Sequence, residues 1–141
     1  MAAFNKFQQF VEDLAKKVHN LSSDSLRVML SNSAPVATNT IKANLTDIAA
    51  GNGYTAGGNT PTISSCAQTT GTLKLVLADT VFTAAGGTIG PFRYVILWND
   101  TPAGPVDPLI GWWDYGSSIT LNDTETFTVD FDGTNGVLQN A

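Results

Sequence analysis

The stretch PLIGWWDYGSSITL, residues 108–121, sets one carboxylate, Asp114, among Trp112, Trp113 and Tyr115. Aromatic rings beside an acid suit a cleft in which rings stack on a ligand and the carboxyl moves protons. The same alternation also describes a strand in a β core. Asp114 then needs a cation or backbone donors, and Arg93 and the turn that follows are the expected partners. Other reactive groups are scattered. His19, the one histidine, falls near the end of a predicted helix, where a cation complements the helix dipole. A Ser-His-Asp triad would have to recruit it, and no nucleophile-elbow sequence occurs. Zinc takes about four ligands, usually histidines and cysteines, and the chain offers His19 and Cys66. GNGYTAGG lacks the lysine of a phosphate loop.

Two acidic groupings come nearer to chemistry. Asp123, Glu125 and Asp130 supply carboxylates of the kind that cleave glycosides, but nothing in their spacing fixes a separation. DFDGTNG, residues 130–136, resembles the start of a calcium loop, with its glycine at the fourth rather than the sixth position. Asp132-Gly133 and Asn135-Gly136 read better as hairpin turns. Cys66 reads as a small apolar filler. The expectation is a non-catalytic chain with no cofactor and no metal.

Composition supports a folded β domain. Of 141 residues, 43% are hydrophobic and 13% charged, the latter about half the ordinary usage of roughly 25%. A chain of this length buries enough surface to hold a core without staples. Threonine, glycine, alanine and asparagine dominate, which favours strands joined by tight turns. The net charge of −5 carries no basic stripe, so nucleic-acid binding is not expected. No apolar run approaches the roughly 18 residues of a membrane helix. The first twenty residues carry Glu12, Asp13, Lys16 and Lys17 and no apolar signal region, which points to synthesis in a cytoplasm.

The elements that position these residues fall in two parts. Over residues 1–22, Phe4, Phe7, Val11, Leu14, Val18 and Leu21 recur at steps of three and four, and Phe10 widens the stripe. The spacing predicts an amphipathic helix from about Ala3 to Asn20, with Glu12–Lys16 and Asp13–Lys17 as i,i+4 pairs. Over residues 23–141 the period changes to two. SLRVMLS alternates Leu26, Val28 and Leu30 against Arg27 and Met29. Thr40 is placed to cap a short helix through Ile41, Leu45 and Ile48. TISSCAQ reads as a strand, and TLKLVLADTVFTA as a long one that bends near Asp79. FRYVILW places Phe92, Tyr94, Ile96 and Trp98 opposite Arg93, Val95 and Leu97. LIGWWDY, GSSITL, TFTVDF and VLQ follow. Strands about every 8–12 residues predict an all-β, jelly-roll-like two-sheet sandwich with an N-terminal helix. FRYVILW is apolar on both faces, so both faces must be covered. The second cover is the N-terminal helix, a loop, or another subunit.

Three segments are candidate partner-binding surfaces. The helix offers Phe4, Phe7, Phe10, Val11 and Leu14, more aromatic surface than a helix needs to lie on its own sandwich. The loop GNGYTAGGNTP offers Tyr54, and NDTPAGPVDP offers Pro102 and Pro105.

FNKFQQFVEDLAKKVHNL, SAPVATNTIKANLTDIAAGNGYTAGG, RYVILWNDT, PLIGWWDYGSSITL and TFTVDFDGTNGVL resemble small proteins encoded in the head-gene region of tailed bacteriophages. Those are the cement, or decoration, proteins of the capsid. The resemblance runs from about Phe4 to Leu138 and rests on structural rather than catalytic strings. It implies a jelly-roll-like fold and a place on the outside of the virion, bound to the major capsid protein. It also implies self-association as dimers or trimers, and no reaction. The competing expectation is a carbohydrate- or receptor-binding module of a phage tail or fibre, in which Trp98 or Trp112 beside Asp100 or Asp114 stacks on a sugar.

Overall fold

The computed structural model describes residues 2–140. Its strands are antiparallel, and it has one short helix. In chain order the elements are β1 (Asn5–Lys6), α1 (Gln8–Ala15), β2 (Leu26–Ser31), β3 (Ile63–Thr69), β4 (Thr72–Leu77), β5 (Thr80–Thr83), β6 (Ile89–Asn99), β7 (Leu109–Leu121), β8 (Thr126–Val129) and β9 (Leu138–Asn140). They form a four-stranded sheet, β1-β7-β6-β2, a three-stranded sheet, β3-β4-β9, and a two-stranded sheet, β5-β8. Where two sheets are predicted, the second layer is divided between β4 and β5, at the expected bend beside Asp79. The principal core lies between the large sheet and these two smaller ones. It contains Val28, Leu30, Val95, Leu97 and Ile110 from one side and Leu75, Leu77, Phe82, Val129 and Leu138 from the other.

The large sheet has a second apolar face. Phe7, Met29, Ile96, Trp98 and Leu109 pack there with Leu45 and Trp112. The cover for the two-sided strand is therefore the chain's own N-terminal segment together with the loop around Leu45. Phe7 is 0% exposed, its ring centroid is 4.5 Å from that of Trp112, and its N–H donates to the Ile110 carbonyl at 3.2 Å.

The predicted helix from Ala3 to Asn20 shortens to Gln8–Ala15. On its N-terminal side, Asn5 and Lys6 pair with Trp112 and Gly111 on the edge of β7. That edge offers unpaired backbone groups, and satisfying them outweighs helix propensity over so few residues. On the C-terminal side, Lys17 turns left-handed at φ 66°, and the Val18 N–H closes back on the Asp13 carbonyl at 2.9 Å. That 6→1 bond ends a helix in the manner that usually employs glycine. The expected Glu12–Lys16 pair forms. Asp13 does not pair with Lys17: it is 5% exposed and accepts a hydrogen bond from Gln9 instead. The apolar stripe rotates accordingly, burying Phe10 and leaving Val11 50% exposed. The predicted helix after Thr40 reduces to one 3-10 turn, Lys42–Asn44, where Asn44 Oδ1 accepts the N–H groups of Thr40 and Ile41.

Bulges re-aim residues on the two central strands. The β6–β7 register shifts between Phe92 and Tyr94, which sends Phe92 to the face of Val95 and Leu97 rather than that of Ile96. A shift between Leu97 and Trp98 leaves Ile110 unpaired in the ladder, so Ile110 and Trp113 share the principal core while Leu109 and Trp112 lie on the other face. The expected strand GSSITL is the continuation of β7 after a bulge at Tyr115–Ser118. Asp132 makes the predicted turn, its Oδ1 accepting the N–H groups of Thr134 and Asn135, but the flanking strands do not form a hairpin: β8 pairs with β5 and β9 with β4. The hairpin that does form joins β3 to β4 through Thr70 (φ 51°) and Gly71 (φ 87°). Two central residues with positive φ match the right-handed twist of the flanking strands.

Candidate functional site

The tryptophans of the opening cluster pack within the chain, whereas Tyr115 is 52% exposed. Trp98 and Trp113 are 2% and 5% exposed, and Trp112 is half-buried against Phe7. The Trp98 Nε1–H donates to the Gly57 carbonyl at 3.0 Å, and Arg27 and Lys42 lie 5.3 Å from its ring centroid. Asp114 accepts both Arg93 Nε at 2.8 Å and a terminal guanidinium nitrogen at 3.1 Å. It also accepts the Gly116 N–H at 2.8 Å. Both expected roles are thus filled by one carboxylate, at the point where β7 leaves its register. The Arg93 hydrogen bonds, then the Gly116 N–H, hold the Asp114 carboxyl below its ordinary range. A carboxylate tied up in this way suits a structural fastening better than proton transfer. Among the described residues, no three or more His, Cys, Asp or Glu side chains are placed to share a metal ion. Among the described residues, no helix is long and apolar enough to cross a membrane.

Of the residues singled out in the sequence, Phe7 and Phe10 are in the cores, and Tyr54 is 3% exposed. Tyr54 accepts the Leu30 N–H at 3.0 Å and donates to Asp47 Oδ1 at 2.5 Å. Burial first, then the Asp47 contact, pushes its hydroxyl far above the ordinary tyrosine range. Its loop is bound to the body. Val28 and Asn59 exchange backbone hydrogen bonds at 2.8 and 3.0 Å, Arg27 donates to the Ala56 and Gly58 carbonyls, and a Cβ on Gly58 would lie 1.7 Å from the Val28 carbonyl oxygen. These three aromatic side chains are therefore committed to the chain's own interior and are not offered to a partner.

The rest of the set is accessible. Phe4, Val11, Leu14 and Ala15 form one wall of an open groove, and Leu138, Gln139 and Asn140 of β9 form the other. β9 is an edge strand, paired on one side with β4. Pro105 reaches the opposite flank of α1, across a recess that it shares with Gln9, Asp13 and Lys16. Beside it, Val106 is 59% exposed. The fold thus brings Phe4, Val11, Leu14 and Pro105 around one helix, while Tyr54 is directed into the core. Pro102 is half-buried in the loop that carries Pro105. Sequence reasoning did not find the β9 wall, because its partnership with α1 depends on strand order. Models of known protein families, curated proteins and solved structures were all compared with the chain, and none matches it.

Proposed function

We propose that this chain is a structural, non-catalytic virion protein with a jelly-roll-like β fold. It binds the outside of a phage head and cements neighbouring major-capsid-protein subunits. The observation that carries the reading is the groove between α1 and β9. It joins an exposed apolar helix face, centred on Val11, to the unpaired edge of a strand. Such a surface suits an extended or edge-strand segment of another protein, which gains main-chain hydrogen bonds from β9 and apolar contact from α1. The acidic balance suits an outer surface that must stay soluble. Capsid stabilisation then follows from mass action, since a protein that binds the assembled shell and not its parts stabilises the shell at every occupied site. The tail-module alternative needs tryptophan at the surface, and the burial of Trp98 weighs against that platform.

A density gradient of the source-phage lysate, with this chain followed by mass spectrometry, tests the proposal. High copy number in tailless heads and in complete virions is the expected result. Confinement to tailed particles at a few copies supports the tail reading instead, and absence from every particle refutes both.

A further inference from the structure

The turn after α1 packs a buried polar cluster against the end of β6. His19 is 5% and Asn99 0% exposed. Asn99 Oδ1 accepts the Thr101 N–H at 3.1 Å, which fixes which way the amide points. Its Nδ2 lies 2.7 Å from Asp24 Oδ2 and 3.0 Å from His19 Nδ1. One amide hydrogen therefore goes to the carboxylate and the other to the ring, so Nδ1 must present a lone pair and the ring proton resides on Nε2. A cationic imidazole would carry hydrogen on Nδ1, directly facing an NH2 group. Turning the amide over would sacrifice both the Asp24 and the Thr101 bonds. Asp24 Oδ2 also accepts the Asn20 N–H at 2.7 Å, so Asn99 grips the whole turn from Asn20 to Asp24.

We infer that the Asn99–His19 contact is a proton-sensitive latch that fastens α1 and the following turn to the β6 end of the sheet, and that it opens when His19 gains a proton. The groups facing His19 are Asp13 from α1, Asp24 from the turn, Asn99 from β6 and the Phe10 ring at 5.2 Å. Lys17 and Cys66 line the recess beside it. Asp13 and Asp24 favour the cation, but burial acts more strongly and holds the imidazole below its ordinary value. The folded state accordingly binds the proton less well than the open one. The latch is whole above about pH 6.5 and is lost as pH falls from there through the folded-state value. Its grip is limited, since Asp13 Oδ2 and His19 Nε2 are buried without a hydrogen-bond partner among the described residues. Opening would free the α1 side of the groove that the proposed function uses, yet the latch itself rests on the His19–Asn99 geometry alone.

Amide hydrogen exchange on the full chain between pH 7.5 and 5 tests it, with intrinsic rates corrected for pH. The opening equilibrium reported by the Lys16, Val18 and Asp24 amides should rise by up to about tenfold per pH unit below pH 6.5. The amides of the β2–β6 ladder should hold steady. His19→Gln keeps an acceptor for Asn99 but cannot be protonated there, so its profile should be flat. A flat wild-type profile overturns the latch, and so does an unchanged slope in His19→Gln, which would place the effect outside the His19 ring. Should His19→Gln not fold, ring-nitrogen NMR of the wild type decides. A neutral Nε2–H ring is expected while the turn is protected, and an Nδ1–H or cationic ring in the protected state refutes the inference.

Discussion

Replacing Phe7 by alanine separates a docked N-terminal segment from a free arm. Phe7 is 0% exposed and lies between β7 and the Leu45 loop. A buried aromatic of its size removes at least about 150 Å² from water. At about 25 cal/mol per Å² that is roughly 4 kcal/mol, part of which alanine retains. The vacated space and the lost Trp112 contact add to the cost, so Phe7→Ala should destabilise the fold by about 3–5 kcal/mol. With a urea slope of about 2 kcal/mol per molar, the unfolding midpoint falls by about 2 M. Trp112 touches Phe7, so intrinsic fluorescence reports the transition directly. Val11, at 50% exposure, is the control, and Val11→Ala should stay within about 0.5 kcal/mol of wild type. The reasoning is refuted if Phe7→Ala unfolds within about 0.3 M of wild type, or if Val11→Ala matches it.

Three further outcomes can be checked by similar means. Tyr54→Phe strands the buried Leu30 N–H and should cost about 1–3 kcal/mol in chemical denaturation, with Asp47 losing a donor at the same time. Gly58 and Gly71 have nearly equal positive φ angles, +85° and +87°, but only Gly58 meets backbone at a Cβ position. Gly71→Ala should therefore cost about 1 kcal/mol and Gly58→Ala more than about 2 kcal/mol, a ranking that thermal melts will reverse if the loop is not pinned to β2. Asp114 has a folded-state value below its ordinary 3.8, so its contribution is present above that pH and lost as pH falls through the folded-state value. Melting temperatures of Asp114→Asn between pH 5 and 2 should show a shallower acid decline than wild type, and an identical decline would remove Arg93–Asp114 from the account.

The sequence was most legible where one local pattern sufficed. Leu26, Val28 and Leu30 alternate with Met29 in β2 as expected, because β2 pairs with β6 over six successive residues without a bulge. Arg93 and Asp114 were paired on chemistry alone. The bend at Asp79 and the Asp132 turn were visible in their turn residues. What escaped detection depended on distant partners. Nothing within FNKFQQF says that Asn5 and Lys6 will meet an open edge more than a hundred positions away, so the helix was extended across them. Lys17 gives no sign of a left-handed helix end, since glycine usually takes that position. His19 reads only as a dipole partner near a helix end, because Asn99, which holds it, is remote in the chain. Phe92 leaves the face of Ile96 at a bulge, and a one-residue slip reverses every side chain that follows. The partner surface was legible as an apolar helix, but which of its rings faced outward depended on where the sheet ended.

The β3–β4 hairpin has a further consequence. Most of β3 is exposed, its tip at Thr70-Gly71 is already a tight turn, and nothing lies within 4 Å of a Cβ on Gly71. A foreign peptide spliced between those two residues would displace no packed neighbour and would add little closure entropy, since that cost grows slowly with loop length. The hairpin tip is therefore a natural graft point for an epitope or enzyme tag.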